Sequence, residues 1–189
     1  MEGMKEVLMV MTLGLDPTRP LILYAGTSGG VYKSLDQAGR WEKVNNGLVD
    51  PAIIKSSRAL NVTAIMVDPY EADTVYASTL EGLYKSTDAA ATWARIGQSL
   101  QDQMVFSMVL DRTRRGVIYL GGREGIHRSE DGGSTWTTLN KGLATLNVRS
   151  LAQSLIDPQI FYLGTNGSGL YKSRNRGEEW EPVPTVLPG

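Results

Sequence analysis

Short apolar segments and turn residues alternate along the chain. In one quarter of it, apolar stretches at 62–67, 74–78, 82–86 and 92–96 are separated by Asp-Pro, Glu-Gly and related turn residues. Stretches of this length, rich in Val, Ile and Tyr, predict four short strands joined by tight turns. Only the segment 51–60 is a candidate for a helical period.

This four-strand pattern occurs four times. Each copy carries a related octamer: SLDQAGRW at 34–41, STDAAATW at 86–93, SEDGGSTW at 129–136 and SRNRGEEW at 173–180. The tryptophans that end the octamers are 52, 43 and 44 residues apart. Upstream of each octamer lie a tyrosine-bearing apolar segment and, before it, the segments TLGLDP, AIMVDP, SMVLDR and SLIDP. Four short strands repeated at this period are typical of the blades of a β-propeller.

The repeat predicts an all-β fold, a propeller of four blades with four antiparallel strands each. One repeat domain covers 1–189, with blades at about 7–47, 62–99, 103–142 and 147–184 and a longer connection at 48–61. The four blades either close on themselves or form an arc of a larger ring. The sequence leaves both arrangements open.

Each octamer residue has a local task in the hairpin between a blade's third and fourth strands. Serine and aspartate side chains accept hydrogen bonds from turn N–H groups, and glycine allows a positive φ. The tryptophan brings a large apolar surface to bury beside the neighbouring blade. None of these tasks requires a ligand, and a motif present four times is a poor candidate for a single active site.

The octamer resembles the Asp-box, or bacterial neuraminidase repeat, S-x-D-x-G-x-T-W. The resemblance covers nearly the whole chain, although alanine replaces the box glycine at 38 and 90, and Glu179 replaces its threonine. It implies that the box is a fold element remote from the active face of proteins such as sialidases, sortilin-type receptors, xyloglucanases and photosystem II assembly factors. The structural box positions are Ser34, Asp36, Trp41, Ser86, Asp88, Trp93, Ser129, Asp131, Gly133, Trp136, Ser173, Asn175 and Trp180.

Composition excludes several classes of function. With 19 Lys and Arg against 20 Asp and Glu, the net charge of -1 gives no field that would attract nucleic acid or an anionic membrane. The absence of cysteine and the presence of one histidine, His127, argue against a classical zinc site and a Ser-His-Asp triad. We therefore predict no metal and no cofactor. The apolar run at 7–15 is too short to span a bilayer and is interpreted as a first strand rather than a signal peptide, and the sequence assigns no compartment.

Candidate binding residues lie in the loops opposite the octamers. Glu81 and Glu124 occupy the same position of adjacent repeats, with Arg123 beside the second, while Arg58 and Asp102 lie in or near connections between blades. Two carboxylates on neighbouring blades could act as the acid and base of a glycosidase. The alternative interpretation is ordinary solvated loop charges.

Three functional hypotheses follow. The first is a non-catalytic binding or assembly scaffold that presents propeller loops to a protein or glycan partner. The second is a glycoside hydrolase related to sialidases or xyloglucanases, although the [FY]-R-I-P segment of sialidases is missing and related xyloglucanases are longer two-propeller chains. The third is a homo-oligomer in which several copies complete one ring.

Overall fold

The computed structural model describes residues 9–49, 58–100 and 103–184. The chain divides into two compact units, Met1–Gln103 and Met104–Gly189. Each unit contains two antiparallel sheets of four strands, so the predicted all-β fold with four propeller-type blades is confirmed. Within the described ranges, no helix is long and apolar enough to cross a membrane.

The first unit holds blades 1 and 2. The strands of blade 1 are β1 (Val10–Leu15), β2 (Leu23–Thr27), β3 (Gly30–Ser34) and β4 (Glu42–Lys43). Those of blade 2 are β5 (Val62–Val67), β6 (Val75–Thr79), β7 (Gly82–Ser86) and β8 (Ala94–Ile96), followed by a short 3-10 helix at Gln98–Leu100. Neighbours in sequence are neighbours in each sheet, because tight turns join successive antiparallel strands.

The second unit holds blades 3 and 4 with the same strand order. Blade 3 consists of β9 (Val105–Leu110), β10 (Ile118–Gly122), β11 (Gly125–Ser129) and β12 (Thr137–Thr138). Blade 4 consists of β13 (Val148–Gln153), β14 (Phe161–Thr165), β15 (Leu170–Ser173) and β16 (Glu181–Pro182). In every blade the octamer connects the third strand to the fourth, as predicted.

The first strand of blade 4 ends differently from those of blades 1 and 2. The apolar residues of SLIDP do not end a strand as those of TLGLDP and AIMVDP do. Strand β13 ends at Gln153, and the side chains of Leu155 and Ile156 are exposed in the following turn. Ser154 takes over the turn, because its hydroxyl accepts hydrogen bonds from the N–H groups of Ile156 and Asp157.

A β-bulge interrupts the first strand of every blade immediately after its first residue. The pairing skips Met11, Thr63, Phe106 and Arg149, while the residue before each bulge is a valine. A bulge shifts the alternation of side chains by one position. For this reason Val62, Ile65 and Val67 of β5 are all buried, although a regular strand would divide them between its two faces.

The core of each unit lies between its two blades. In the first unit, Tyr24 and Val31 of blade 1 pack with Val62 and Tyr84 of blade 2. The second unit repeats this arrangement, with the rings of Tyr119 and Phe161 in contact at 4.4 Å between centroids.

The octamer tryptophan of the later blade completes each core, because its indole N–H donates to a carbonyl of the earlier blade. Trp93 Nε1 bonds to Val44 O at 2.8 Å, and Trp180 Nε1 bonds to Leu139 O at 2.9 Å. Trp93 and Trp180 therefore bury their rings beside the earlier blade of their unit, as predicted. Trp41 instead packs with Ala25 and Tyr32 of its own blade, and Trp136 Nε1 bonds to Gly133 O within its own octamer.

Candidate functional site

The octamer turn is held by a buried serine and an exposed aspartate. In blade 2, the Ser86 hydroxyl donates to Asp88 Oδ1 at 2.7 Å and accepts from the N–H of Ala90 at 2.9 Å. Asp88 in turn accepts from the backbone N–H and the hydroxyl of Thr92 at 2.8 and 2.6 Å. Both side chains are thus occupied by the turn itself, so the octamer presents no free catalytic pair.

The same bonding lowers the pKa of the turn carboxylates. The Thr135 hydroxyl and backbone N–H, with the Ser129 hydroxyl, lower the pKa of Asp131 to about 2. The corresponding bonds from Thr92 lower the pKa of Asp88 to about 2. These carboxylates remain charged wherever the protein is folded near neutral pH, and a negative charge is what the turn N–H groups stabilise.

Blade 4 builds the same turn without a carboxylate. The amide oxygen of Asn175 accepts from the Ser173 hydroxyl at 2.8 Å and from the N–H of Glu179 at 3.0 Å. An amide oxygen is therefore sufficient for the backbone contacts. In blades 2 and 3 the hydroxyls of Thr92 and Thr135 also bond to the aspartate. Blade 4 has Glu179 at this position, and its side chain does not contribute such a bond to the turn.

Two successive residues of each octamer adopt the left-handed conformation. The second residue of the pair is glycine in blades 3 and 4, but Ala38 and Ala90 adopt φ values of 72° and 71° in blades 1 and 2. This region disfavours residues with a Cβ. The glycine predicted from the motif is thus a relief of strain rather than a contact with a ligand.

The loops at the other end of the blades join the second strand to the third. Gly29, Glu81 and Glu124 occupy equivalent positions, because the carbonyl of each accepts a side-chain hydrogen bond from the fourth strand or from the residues just after it. The donors are Asn45, Arg95 and Asn140, respectively. The sequence alignment of Glu81 with Glu124 is therefore structurally correct.

The two glutamates nevertheless have different surroundings. Glu81 belongs to the first unit and is 8% exposed, which is not the solvated position expected for an ordinary loop charge. Glu124 belongs to the second unit and is exposed, as is Arg123 beside it. The Arg123 N–H donates to the carbonyl of Met104, which fixes the loop but leaves the guanidinium at the surface.

His127 is a buried strand residue. It pairs with Leu120 in β10 and β11, at the position where the other blades carry tyrosine. Its Nδ1 lies 3.3 Å from the hydroxyl of Thr138. Burial lowers the pKa of His127, against a smaller opposite effect of the Glu124 charge, so the imidazole is neutral at pH 7.

The remaining sequence candidates lie in connections. Arg58 lies in the turn before β5, where its carbonyl accepts from the N–H of Asn61. Asp102 and residues 51–57 lie outside the described residues. In the part of the chain that the structure describes, no group of three or more His, Asp or Glu side chains is placed to hold a metal ion.

Lysines that follow the glycines of the third strands have a structural role. The ammonium groups of Lys33, Lys85 and Lys172 lie 5.6, 5.4 and 5.3 Å from the ring centroids of the tyrosines that pair with them across the sheet. Lys33 also donates to the carbonyl of Ala89 in the next blade. This recurring cation–π contact gives the three lysines a structural role in their sheets.

A groove of about 540 Å³ in the first unit lies beside the octamer of blade 2. Its one arginine, Arg19, donates to Asp16, to Asp73 and to the carbonyl of Ala72 at 2.6 to 2.8 Å. Nη1 and Nη2 thus join blade 1 to blade 2, whereas Nε bonds to Asp16 within blade 1, and the groove is part of the blade contact.

The bulge positions were missed by sequence reasoning. The residue at the bulge differs from blade to blade. In the second unit, the bulge residues of blades 3 and 4 are in contact, because the guanidinium of Arg149 lies 4.2 Å from the ring centroid of Phe106. The available signal was the valine that opens each first strand, in Val10, Val62, Val105 and Val148. Bulges commonly redirect side chains near functional surfaces.

No protein-family model matches the sequence, and no curated protein matches it. Solved structures do match its fold. An ancestral GH74 enzyme is similar to 94% of this chain, with a TM-score of 0.79 and 22% identity. The GH74 xyloglucanase from Xanthomonas campestris is also similar to 94% of the chain, with a TM-score of 0.75 and 20% identity. The chain spans only 24% and 31% of the lengths of these enzymes.

A third similar structure is YCF48 bound to D1 peptide. The similarity covers 96% of this chain and 56% of YCF48, with a TM-score of 0.67 and 14% identity. At these identities the comparisons establish the β-propeller fold of the chain and not an activity.

Proposed function

We propose that this protein is a non-catalytic binding or assembly scaffold, whose loops between the second and third strands of the blades contact a protein or glycan partner. The observation that carries the proposal is the full engagement of the recurrent polar residues. Ser86 and Asp88 bond within their turn, Lys33 bonds to its tyrosine and the next blade, and His127 is buried and neutral. The loop charges at Arg123 and Glu124 are exposed, and the Arg123 guanidinium makes only a long contact of 3.9 Å from Nη1 to Met104 Sδ.

The octamers are, in this proposal, Asp-boxes. The serine, aspartate and threonine of Ser129–Trp136 make the turn bonds that the motif implies, and Asn175 preserves them in the variant copy. The similarity to YCF48, a protein with a structure bound to a peptide, supports a protein as the partner. Self-association is a separate hypothesis that concerns the blade faces rather than these loops.

An array of synthetic peptides and a glycan array test the scaffold proposal. We expect the wild-type chain to bind a specific set on one of them, and the double variant Arg123→Ala/Glu124→Ala to lose it. Arg174→Ala is the matched control, because Arg174 is also exposed but lies in an octamer. Absence of a specific ligand on both arrays, or equal losses in both variants, would contradict the proposal.

A glycoside hydrolase is the second candidate, favoured by the similarity to GH74 enzymes and by the equivalent loop positions of Glu81 and Glu124. An aryl glycoside and a xyloglucan oligosaccharide are the substrates to test. Hydrolysis that disappears in Glu81→Gln or Glu124→Gln would establish this function and replace the scaffold proposal. No turnover above a buffer blank would exclude activity on these substrates.

A further inference from the structure

Within the first unit, the first strand of the later blade inserts against the first two strands of the earlier one. The key contact joins Val62 to Gly26. A Cβ placed on Gly26 would lie only 2.6 Å from Val62 Cγ1, and Val62 is fully buried. The missing side chain of glycine thus makes the space that the valine fills.

The second unit repeats this contact. A Cβ placed on Gly121 would lie 2.9 Å from Cγ1 of Val148, which is also fully buried. Val62 and Val148 both open the first strand of their blade, immediately before the bulge. A valine of the later blade in a glycine site of the earlier blade is therefore the repeated element of blade packing in both units.

In blade 1, the first strand carries the valine and the apolar residues that make this contact in blade 2, but here their side chains are exposed. Val10, Leu13 and Leu15 of β1 are 51%, 56% and 67% exposed. Their equivalents in β5, Ile65 and Val67, are only 2% and 5% exposed. The first strand of blade 1 therefore presents an apolar row that the fold buries at the same register in blade 2.

Blade 4 carries the glycine half without a valine. A Cβ placed on Gly164 would meet only the Ser150 hydroxyl, at 2.7 Å, whereas Gly26 and Gly121 each meet a valine of the next blade. A cavity of about 180 Å³ opens at this point, with Ala152, Tyr162 and Leu170 in its wall. Its glycine and small neighbouring side chains match the site that receives Val62 in blade 1.

We propose that β1 of one copy of this protein docks on β13 and β14 of a second copy. Val10 then lies beside the second copy's Gly164, as Val62 does beside Gly26. Leu13 then packs on Ala152. The model for this contact is Ile65, the equivalent of Leu13 in blade 2, which packs on Gly14, the equivalent of Ala152 in blade 1. Its Cγ2 lies 3.3 Å from a Cβ placed on Gly14. The chain carries both halves of the contact, so a second copy supplies the complement.

This contact is head to tail, and such contacts generate either closed rings or filaments. Two copies bring eight blades, which is within the four to eight blades typical of propellers. Two copies are the smallest number in which every copy both gives its β1 and receives the β1 of another copy. The assembly expected from this contact is therefore a dimer.

Light scattering coupled to size exclusion, over a range of concentrations of the full chain, tests the assembly. We expect twice the chain mass of 20.6 kDa for the wild type. The variants Leu13→Lys and Ala152→Glu replace exposed side chains, so each is expected to keep the wild-type urea midpoint but to weaken dimerisation at least tenfold. An unchanged urea midpoint in a variant that no longer dimerises shows that the contact between copies is lost while the chain still folds.

Mixing the two variants provides the specific test. A Leu13→Lys chain and an Ala152→Glu chain form one contact with paired opposite charges and one wild-type contact, so the mixture is expected to recover the dimer. The matched mixture of Leu13→Lys with Ala152→Lys keeps the same wild-type contact but places two lysines at the other one, so it is expected to recover less dimer than the oppositely charged mixture. A wild-type monomer at every concentration, or a dimer unaffected by either variant, would overturn the proposal. The arrays above measure loop binding independently of this result.

Discussion

The glycine sites between blades make a quantitative prediction. In Gly26→Ala, the new Cβ would lie 2.4 Å from Thr12 Cγ2 and 2.6 Å from Val62 Cγ1. Ordinary carbon contacts are about 3.5–4.0 Å, so these groups must move apart by roughly 1 Å. Overpacking of this kind costs about 1–3 kcal/mol. The smaller conformational freedom of alanine in the unfolded chain recovers about 0.4–1 kcal/mol.

The net expectation is a loss of about 1–2 kcal/mol in the free energy of unfolding. Gly14→Ala is the matched control, because it lies in the same blade and its nearest neighbour, Ile65 Cγ2, would be 3.3 Å away. There the small steric cost and the gain from the unfolded chain nearly cancel. Urea unfolding followed by circular dichroism measures both variants, with the slope of the transition as a check on the unfolded state.

A double-mutant cycle assigns the cost to the blade contact. Val62→Ala removes the methyl group nearest to the new Cβ, so its combination with Gly26→Ala is expected to be less destabilising than the sum of the single changes. Equal stabilities of Gly26→Ala and Gly14→Ala would refute the reasoning. Additive effects in the cycle would show that Thr12 alone is responsible.

Three further predictions concern the octamers. Ser129→Ala leaves the buried N–H of Gly133 without its acceptor and should reduce the free energy of unfolding by about 1–3 kcal/mol in urea titrations; a change below about 0.5 kcal/mol would contradict this. The pKa of Asp131 is lowered to about 2 from 3.8, so its charge stabilises the fold above about pH 4 and this stabilisation is lost as the pH falls towards 2. In Asp131→Asn, the free energy of unfolding should therefore fall less between pH 5 and pH 2 than in the wild type. Equal falls in the two proteins would contradict this role of Asp131. Ala38→Gly relieves a left-handed φ and should raise the thermal midpoint, whereas Ala90→Gly also removes a fully buried methyl group and should gain less; the reverse order in calorimetry would be inconsistent with strain.

Much of the fold is predictable because each blade repeats a strong local pattern. The limits predicted for the first and third strands of blade 2, 62–67 and 82–86, agree with β5 and β7. The second strand is displaced by one residue, and the fourth begins at Ala94 rather than at 92 because the turn retains Thr92. The blade limits and the closure of the ring stay predictions.

The parts that sequence reasoning missed depend on packing between blades. A bulge after the first residue of each first strand moves three apolar residues to one face, which no alternation of polar and apolar positions reveals. Ser154, and not Asp157, occupies the turn position that Asp16 holds in blade 1, because the N–H groups of Asp16 and Ser154 make the equivalent bonds to Ile22 O and Ile160 O. Leu155 and Ile156 therefore lie exposed in the turn, although SLIDP resembles a strand end by composition. The burial of Glu81 likewise depends on surroundings that its loop position does not specify.

The octamer turns have a consequence for synthesis of the chain on the ribosome. Their hydrogen bonds join residues no more than four positions apart, as in Ser86 to Ala90, so a turn can form as soon as it emerges. The indole of Trp93 then bonds to Val44, a residue synthesised earlier, and Trp180 does the same with Leu139. Within each unit, a nascent blade therefore meets its docking surface already complete, and growth from the N-terminus proceeds without waiting for later sequence.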